Sequence, residues 1–280
     1  MRLIAVLLIV LLAACGTSGQ GSNAAEPSVD PSASASAPSG RLETRPLGSV
    51  QGARLGYLEY LPPSYGEGEP SPLLVFLHGA GEAGDGSESG LDLVDELGVP
   101  ELIAAGEWPS DRTFVTLAPQ YATELAEGDC AVADDLAAFL DFATQHYEID
   151  AARVYLTGIS CGAIGVWDYL AAYGDEVVAA AVPIAGHAKW ALEEAGCAAL
   201  TEVPVWAFHG AVDDVVPVDA IEGPMDQIRA CEGAASVEME LTVYPDADHF
   251  DNDAWTRTYD LSADHDIYAW MLEHTNDSAQ

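Results

Sequence analysis

The sequence predicts an α/β protein with a mostly parallel central sheet and helices on both faces. After residue 72, short apolar runs alternate with longer helical patterns, which is the order of repeated strand–helix units. The short runs are apolar throughout, as is typical of strands buried on both faces in parallel sheets. A chain of 280 residues is long enough for one large core of this class.

Each element follows from these patterns in chain order. Strands are predicted near residues 73–77, 113–118, 153–157, 178–184, 203–208 and 237–244. Helices are predicted near residues 99–105, 131–146, 162–173, 189–199, 219–231 and 263–274. Before the first of these strands, residues 44–61 contain two alternating segments, which predict an antiparallel hairpin at one edge of the sheet.

Ser160 is the leading candidate nucleophile. It lies in the segment Gly158-Ile159-Ser160-Cys161-Gly162, directly after an apolar run and directly before a helical pattern. A G-x-S-x-G motif between a strand and a helix is typical of a nucleophile elbow, in which a sharp turn exposes the serine. The alternative interpretation is a serine in an ordinary glycine-rich turn.

A carboxylate and a histidine follow Ser160 along the chain. Asp213 and Asp214 come just after the predicted strand 203–208, and His249 comes just after the predicted strand 237–244. A histidine there can reach over the carboxyl edge of the sheet and take the proton of the serine, while the carboxylate orients the imidazole. His265, at the start of the final helix, is a weaker alternative base.

These motifs resemble α/β-hydrolases. The resemblance is carried by LLVFLHGAGE at 73–82, LAPQ at 117–120, TGISCG at 157–162, HGAVD at 209–213 and DH at 248–249. The chain is similar to esterases related to prolyl-oligopeptidase and dienelactone-hydrolase enzymes, and most similar to bacterial predicted peptidases and phospholipase/carboxylesterase-like proteins. The resemblance covers residues 50–275 and implies an α/β-hydrolase fold with the order Ser, Asp, His. It favours Asp213 over Asp214 as the acid.

A tetrahedral intermediate needs hydrogen-bond donors aimed at its developing oxyanion. The backbone N–H of Cys161, the residue after the nucleophile, is one expected donor. The loop after Leu77 supplies the other, for which we expect the N–H of Ala80. This mechanism requires no metal and no organic cofactor, and no C-x-x-C or H-E-x-x-H spacing indicates a zinc site.

The amino terminus predicts export. Met1-Arg2 and the apolar residues 3–14 form a segment too short to span a bilayer, as in a signal peptide over residues 1–14. The segment ending in Ala14-Cys15-Gly16 resembles a bacterial lipobox, which predicts a lipid on Cys15 and an extracytoplasmic, membrane-anchored protein. The alternative is an ordinary secretory signal cleaved near Ala14.

Residues 15–40 predict a flexible tether that begins at the lipidated cysteine. They consist mainly of Gly, Ser, Ala, Pro and Asn, and such a composition cannot bury enough surface to order itself. The catalytic domain is therefore expected over residues 41–280.

Net charge limits the possible partners. The chain has 46 acidic and 9 basic residues and a formal charge of −37, which argues against binding nucleic acid or anionic lipid surfaces. We expect a monomer that contacts the membrane only through its lipid anchor. The acidic residues are interpreted as a solvated surface, with adaptation to high salt as the alternative.

Four cysteines besides Cys15 allow three pairings, and export permits disulfides. Cys197 and Cys231 are both expected at the amino-terminal side of the sheet and are the preferred bridge. Cys130 and Cys161 are expected near the opposite, catalytic side, either paired or as buried thiols.

The leading functional hypothesis is a serine carboxylesterase that acts on a small-molecule or polymeric ester. A small peptidase with the same triad is the alternative enzyme. The third hypothesis, from a different class, is an inactive surface lipoprotein that binds carbohydrate or a partner.

Overall fold

The computed structural model describes residues 40–122, 130, 132–232, 234–260, 265–276 and 278. The predicted signal peptide, Cys15 and the tether as far as residue 39 lie outside the described residues. Among the described residues, no helix is long and apolar enough to cross a membrane.

Eight strands of the described residues form a single sheet. Their bounds are Leu42–Arg45 (β1), Tyr57–Tyr60 (β2), Ser71–Leu77 (β3), Val115–Pro119 (β4), Ile149–Ile159 (β5), Ala180–Ile184 (β6), Val205–Gly210 (β7) and Met239–Tyr244 (β8). The strand order is β1-β2-β4-β3-β5-β6-β7-β8. Strands β3 to β8 run parallel, whereas β1 and β2 are antiparallel to each other and β2 is antiparallel to β4. The predicted parallel sheet and edge hairpin are both confirmed.

Eight α-helices accompany the sheet in the described residues. Their bounds are Glu88–Leu91 (α1), Gly98–Ala104 (α2), Ala133–His146 (α3), Cys161–Tyr173 (α4), Lys189–Ala195 (α5), Asp219–Arg229 (α6), Ala254–Tyr259 (α7) and Ile267–Leu272 (α8). Short 3-10 turns, such as Ala80–Glu82 after β3, occupy several loops.

The helices of the described residues pack on both faces of the sheet, and those on each face cover a separate hydrophobic core. Leu73, Val75 and Leu77 of β3 point into one core, which α3 to α6 cover. Leu74 and Phe76 point into the other, which α1, α2, α7 and α8 cover. Because successive side chains of a strand point to opposite faces, the apolar run 73–77 of β3 contributes to both cores. The prediction of helices on both faces is confirmed.

Several details of the fold differ from the sequence prediction, including β5, which begins at Ile149, and α8, which covers only Ile267–Leu272. The helix predicted over residues 189–199 ends at Ala195, because Gly196 takes a left-handed backbone with φ of 75° and a 3-10 turn follows. Helices α1 and α7 were not predicted, since they are too short to show a helical period.

Two disulfides are present within the described part of the chain. One joins Cys197, before a 3-10 turn, to Cys231, just after α6. The other joins Cys130 to Cys161, the first residue of α4. The second bridge therefore ties the residue next to Ser160 to the segment that leads into α3.

Candidate active site

Ser160 stands at the turn between β5 and α4 with a strained backbone. Its φ is +50° and its ψ is −117°, values that a residue with a side chain rarely adopts. The turn is fixed on one side by the Ser160 N–H, which donates to the Ile184 carbonyl at the end of β6 at 2.9 Å. Strain of this kind is found where surrounding structure holds a functional side chain in place.

The glycines on either side of Ser160 are needed for close packing. A side chain at Gly162 would overlap the carbonyl oxygen of Leu77, and one at Gly158 would come within 2.7 Å of the Gly162 backbone. The elbow therefore lies tight against the end of β3, where the loop containing Ala80 begins.

Ser160, His249 and Asp213 form a continuous chain of hydrogen bonds. His249 Nε2 lies 2.9 Å from Ser160 Oγ, and His249 Nδ1 lies 2.6 Å from Asp213 Oδ2. A carboxylate can only accept, so Nδ1 carries the ring proton and Nε2 of the neutral ring accepts from the serine hydroxyl. This tautomer leaves Nε2 ready to take the serine proton.

Asp213 is buried, but its carboxyl group ionises readily. Burial alone would raise the pKa of its carboxyl group, yet the hydrogen bond from His249 and those from two backbone N–H groups outweigh burial and lower the pKa. Those donors are Val216 at 2.8 Å and Val215 at 2.9 Å, both to Oδ1. The carboxylate is thus held in its charged form and in one orientation.

The other candidates lie elsewhere. Asp214 is exposed, and the structure brings Asp213 to His249 instead. His265 packs against Phe208 with ring centroids 4.9 Å apart. His209 donates from Nε2 to the Val216 carbonyl at 2.8 Å, so it supports the loop that carries Asp213.

The expected oxyanion donors are adjacent to the serine. Ala80 and Cys161 line the same cavity as Ser160, from the end of β3 and the start of α4. A Cβ at Gly79 would lie 3.7 Å from Ser160 Cβ, so the Gly79–Ala80 peptide passes directly beside Ser160. A substrate carbonyl carbon placed at Ser160 Oγ would therefore lie close to this peptide.

His78 fixes the direction of that peptide, a role the sequence did not reveal. Its Nε2 accepts from the Tyr121 N–H at 2.9 Å, so its Nδ1 carries the proton and donates to the Gly79 carbonyl at 2.6 Å. In a trans peptide the Gly79 carbonyl and the Ala80 N–H point in opposite directions. Holding the carbonyl therefore aims the N–H.

Gln120 braces the same loop from the end of β4. Its Nε2 donates to the carbonyls of Glu82 at 2.8 Å and Gly90 at 2.6 Å, while its Oε1 accepts from the Gly86 N–H at 2.9 Å. The side chain is buried, and its amide offers donors and an acceptor together. The LAPQ segment thus has a direct structural role in shaping the site.

The matching protein-family model identifies the chain. It is that of the dienelactone hydrolase family and covers residues 99–277. This chain belongs to the dienelactone hydrolase family. The resemblance seen in the sequence is confirmed, and the matched span includes Ser160, Asp213 and His249.

This dienelactone hydrolase family member is similar to a curated protein, a bifunctional acetylxylan esterase/xylanase from Neocallimastix patriciarum. It is 26% identical over 182 residues, which are 64% of this chain and 25% of that protein. The chain therefore spans about a quarter of the length of this relative.

Solved structures share the fold of this dienelactone hydrolase family member. A thermostable esterase superposes with a TM-score of 0.58 at 23% identity, covering 84% of this chain and 62% of that chain. Pyrococcus horikoshii acylaminoacyl peptidase gives 0.54 at 16% identity, covering 75% and 38%. Thermogutta terrifontis esterase 2 gives 0.52 at 16% identity, covering 83% and 90%. The predicted α/β-hydrolase fold is confirmed.

Proposed function

We propose that the protein is a serine hydrolase that cleaves carboxylic esters, with Ser160 as nucleophile, His249 as general base and Asp213 as the orienting acid. The observation that supports this most strongly is the unbroken hydrogen-bond chain from Ser160 Oγ through the His249 ring to Asp213. The strained elbow and the adjacent Gly79–Ala80 peptide supply the other parts that acyl transfer needs.

In the first half-reaction, Ser160 Oγ bonds to the ester carbonyl carbon while its proton moves to His249 Nε2. The carbonyl oxygen becomes an oxyanion, which accepts hydrogen bonds from the N–H groups of Ala80 and Cys161. The bond to the alcohol oxygen then breaks, and His249 returns the proton to the leaving alcohol. Water attacks the acyl-enzyme by the same route, which releases the acid and restores the serine hydroxyl.

The name of the curated relative indicates which substrates should be tested first. The acetylxylan esterase supports an ester, and the net charge of −37 disfavours polyanions. A peptide bond could be cleaved by the same groups, so peptides belong in the test as the competing substrate class.

The test combines covalent labelling with a substrate panel. A fluorophosphonate probe should label the wild-type protein at Ser160 but leave Ser160→Ala unlabelled. The wild type should hydrolyse p-nitrophenyl esters, and Ser160→Ala should lose at least about a thousandfold in kcat. Failure of the wild type to react with the probe and with every ester would reject the proposal. Turnover of peptide anilides with no ester hydrolysis would favour the peptidase.

We also propose that Cys15 carries a lipid that holds the enzyme on the outer side of a bacterial membrane. The basic start, the short apolar run and the small residues before Cys15 support this. A thioether-linked diacylglycerol provides two acyl chains, which suffice for stable anchoring. Cys15→Ser should release active enzyme or leave an unprocessed precursor, with unchanged turnover per molecule. Wild-type protein found only in the culture medium, with an unmodified amino terminus, would contradict this proposal.

A further inference from the structure

An apolar cavity of about 310 Å³ opens directly beside Ser160. Ala80, Ser160 and Cys161 form its reacting end. Its far wall is made by Ile164, Trp190 and other largely apolar residues, together with the Cys130–Cys161 disulfide. A substrate whose carbonyl carbon sits at Ser160 Oγ would extend one of its two halves into this space.

The position of His249 decides which half of the ester enters the cavity. The leaving alcohol takes its proton from His249 and must lie next to that ring. Among the described residues that line the cavity, none is His249 and none belongs to the loop that carries it. The alcohol half therefore leaves on the other side of Ser160, and the cavity faces the acyl half.

The size of the cavity exceeds the needs of a small acyl group. An apolar protein cavity of roughly 150 Å³ is large enough to bind benzene. At about 310 Å³, this cavity has room for a substituted ring, whereas an acetyl group would leave most of it unfilled.

Trp190 gives the cavity an aromatic wall. The residue is 48% exposed, so its indole presents apolar surface to a group bound in the cavity. The His187 ring holds the indole in an edge-to-face contact, with centroids 4.4 Å apart and planes at 83°. A flat group in the cavity would stack on a surface that is already positioned.

His187 is the polar group in this wall. Its Nδ1 is buried and has no side-chain or backbone hydrogen-bond partner in the described part of the chain. Burial lowers the pKa of His187 despite a contact with its own backbone, so the ring is neutral near pH 7. A neutral imidazole can donate to or accept from a hydroxyl group but offers no charge to a carboxylate.

The backbone before His187 is strained in a way that places this ring. Ala185 has φ of +55°, although it is not glycine. Gly186 packs so closely on α4 that a Cβ there would lie 2.6 Å from the Ala163 Cβ. Strain of this kind persists where a structure holds a functional side chain in one position.

We propose that this cavity is the acyl-binding site and that it selects hydroxylated aromatic acyl groups. The aromatic ring stacks on Trp190, and its hydroxyl group hydrogen-bonds to His187. This inference rests on the proposed esterase function, because it assigns the acyl side from the role of His249.

Three methyl esters with the same alcohol test the proposal on the full-length protein. They are methyl propanoate, methyl 3-phenylpropanoate and methyl 3-(4-hydroxyphenyl)propanoate. We expect kcat/KM to rise at least about tenfold when the ring is added. Adding the hydroxyl group should raise it about fivefold more, as for one hydrogen bond.

Two variants separate the two contacts. Trp190→Ala should lower kcat/KM about tenfold for both aromatic esters and change methyl propanoate less than twofold. His187→Phe, which keeps the edge-to-face contact, should abolish the preference for the hydroxylated ester and spare the phenyl ester. Leu272→Ala, at an exposed position at the end of α8, is the control and should change none of the three values.

Other results would overturn the acyl site, the role of His187 or the proposed function. Equal hydrolysis of all three esters, or a uniform loss across them in Trp190→Ala, would overturn the acyl-site proposal and leave the esterase standing. A hydroxyl preference that survives in His187→Phe would overturn the role of His187. Absence of hydrolysis and of probe labelling in the wild type would instead reject the proposed function itself.

Discussion

The imidazole of His249 lies edge-on against the indole of Trp255, with ring centroids 5.3 Å apart and planes at 83°. Trp255 is buried in α7, the short helix that follows the His249 loop. Asp213 holds one ring nitrogen of His249, and Trp255 limits how the ring can tilt about that hydrogen bond. Contacts from different elements of the fold therefore restrict the orientation of the His249 ring.

Replacing Trp255 should reduce turnover more than binding. Trp255→Ala is expected to lower kcat about 10- to 100-fold, since a small displacement of a catalytic group has effects of that size. Trp255→Phe retains an aromatic edge and should stay within a few-fold of the wild type. Rates are measured with p-nitrophenyl acetate and divided by the fraction of sites that a fluorophosphonate titrates.

Trp108→Ala is the matched control for this prediction. Trp108 is a similarly buried tryptophan on the same face of the sheet, packed on Tyr268 at 5.0 Å. Both alanine variants should lose about 3–5 kcal/mol of stability in urea unfolding. An equal loss of kcat in the two variants would show that Trp255 acts only through stability.

The two adjacent aspartates should differ sharply in their effect on activity. Asp213→Asn should lower kcat by roughly 10⁴, because an amide can donate to His249 Nδ1 and so stabilise the wrong tautomer. Asp214 is exposed, and Asp214→Asn should remain within about twofold, as for a surface change. The measurement is kcat on one p-nitrophenyl ester at neutral pH. The opposite ranking would make Asp214 the acid.

Because of His78, the folded protein should lose stability at acidic pH. Burial lowers its pKa from the ordinary 6.5 to about 4, despite the hydrogen bond to Gly79. Between these values the unfolded chain binds a proton that the folded chain does not, so stability is present above pH 6.5 and falls towards pH 4. The upper bound for this single group is about 3 kcal/mol.

The His78 prediction is checked by urea unfolding at pH 7 and pH 4.5. His78→Asn keeps a donor for the Gly79 carbonyl but does not titrate, so its loss of stability between the two pH values should be smaller by about 1–3 kcal/mol. His78→Leu removes the donor, and its kcat should fall at least about tenfold because the Ala80 N–H is no longer aimed. If the Asn and wild-type proteins lose the same stability, the neutral His78 is not responsible.

Both disulfides should contribute to stability, but only the Cys130–Cys161 bridge should affect activity. Their sequence separations are 31 and 34 residues, so removing either should cost a similar amount, about 3–4 kcal/mol in the chain-entropy model. Cys197→Ala/Cys231→Ala should leave kcat unchanged at a temperature where the protein is folded. Cys130→Ala/Cys161→Ala should lower kcat, because the bridge anchors the backbone whose Cys161 N–H is the proposed oxyanion donor and forms part of the wall of the proposed acyl cavity.

Stability is followed by urea unfolding, and kcat is measured well below the melting temperature of the weaker variant. Equal kcat values in the two double variants would mean that the Cys130–Cys161 bridge has no part in the site. A loss of activity confined to the Cys197/Cys231 variant would contradict both assignments.

The sequence predicted those parts of the molecule that have a local signature. The fully apolar strands indicated a sheet buried on both faces, and the motif around Ser160 indicated its elbow. His249 and Asp213 were proposed from their places after β8 and β7, and the structure brings their side chains to Ser160.

The remaining contributions come from contacts that no local pattern encodes. The role of His78 depends on Tyr121, which is 43 residues away and follows a different strand. The cavity wall formed by His187 and Trp190 depends on the backbone of Ala185, where an alanine takes a conformation usual for glycine. Helix α7 has six residues and begins with Asp253 capping the Thr256 N–H, too little for its period to be visible.

His249 is carried by the loop after β8, and β8 is the last strand of the described sheet, paired only with β7. Outer strands open more readily than central ones, because fewer neighbours must separate. The proposed proton acceptor thus lies at the edge of the sheet, whereas Ser160 follows the central strand β5. On warming, the enzyme should lose its chemistry before it loses its core, and prompt cooling should bring the activity back.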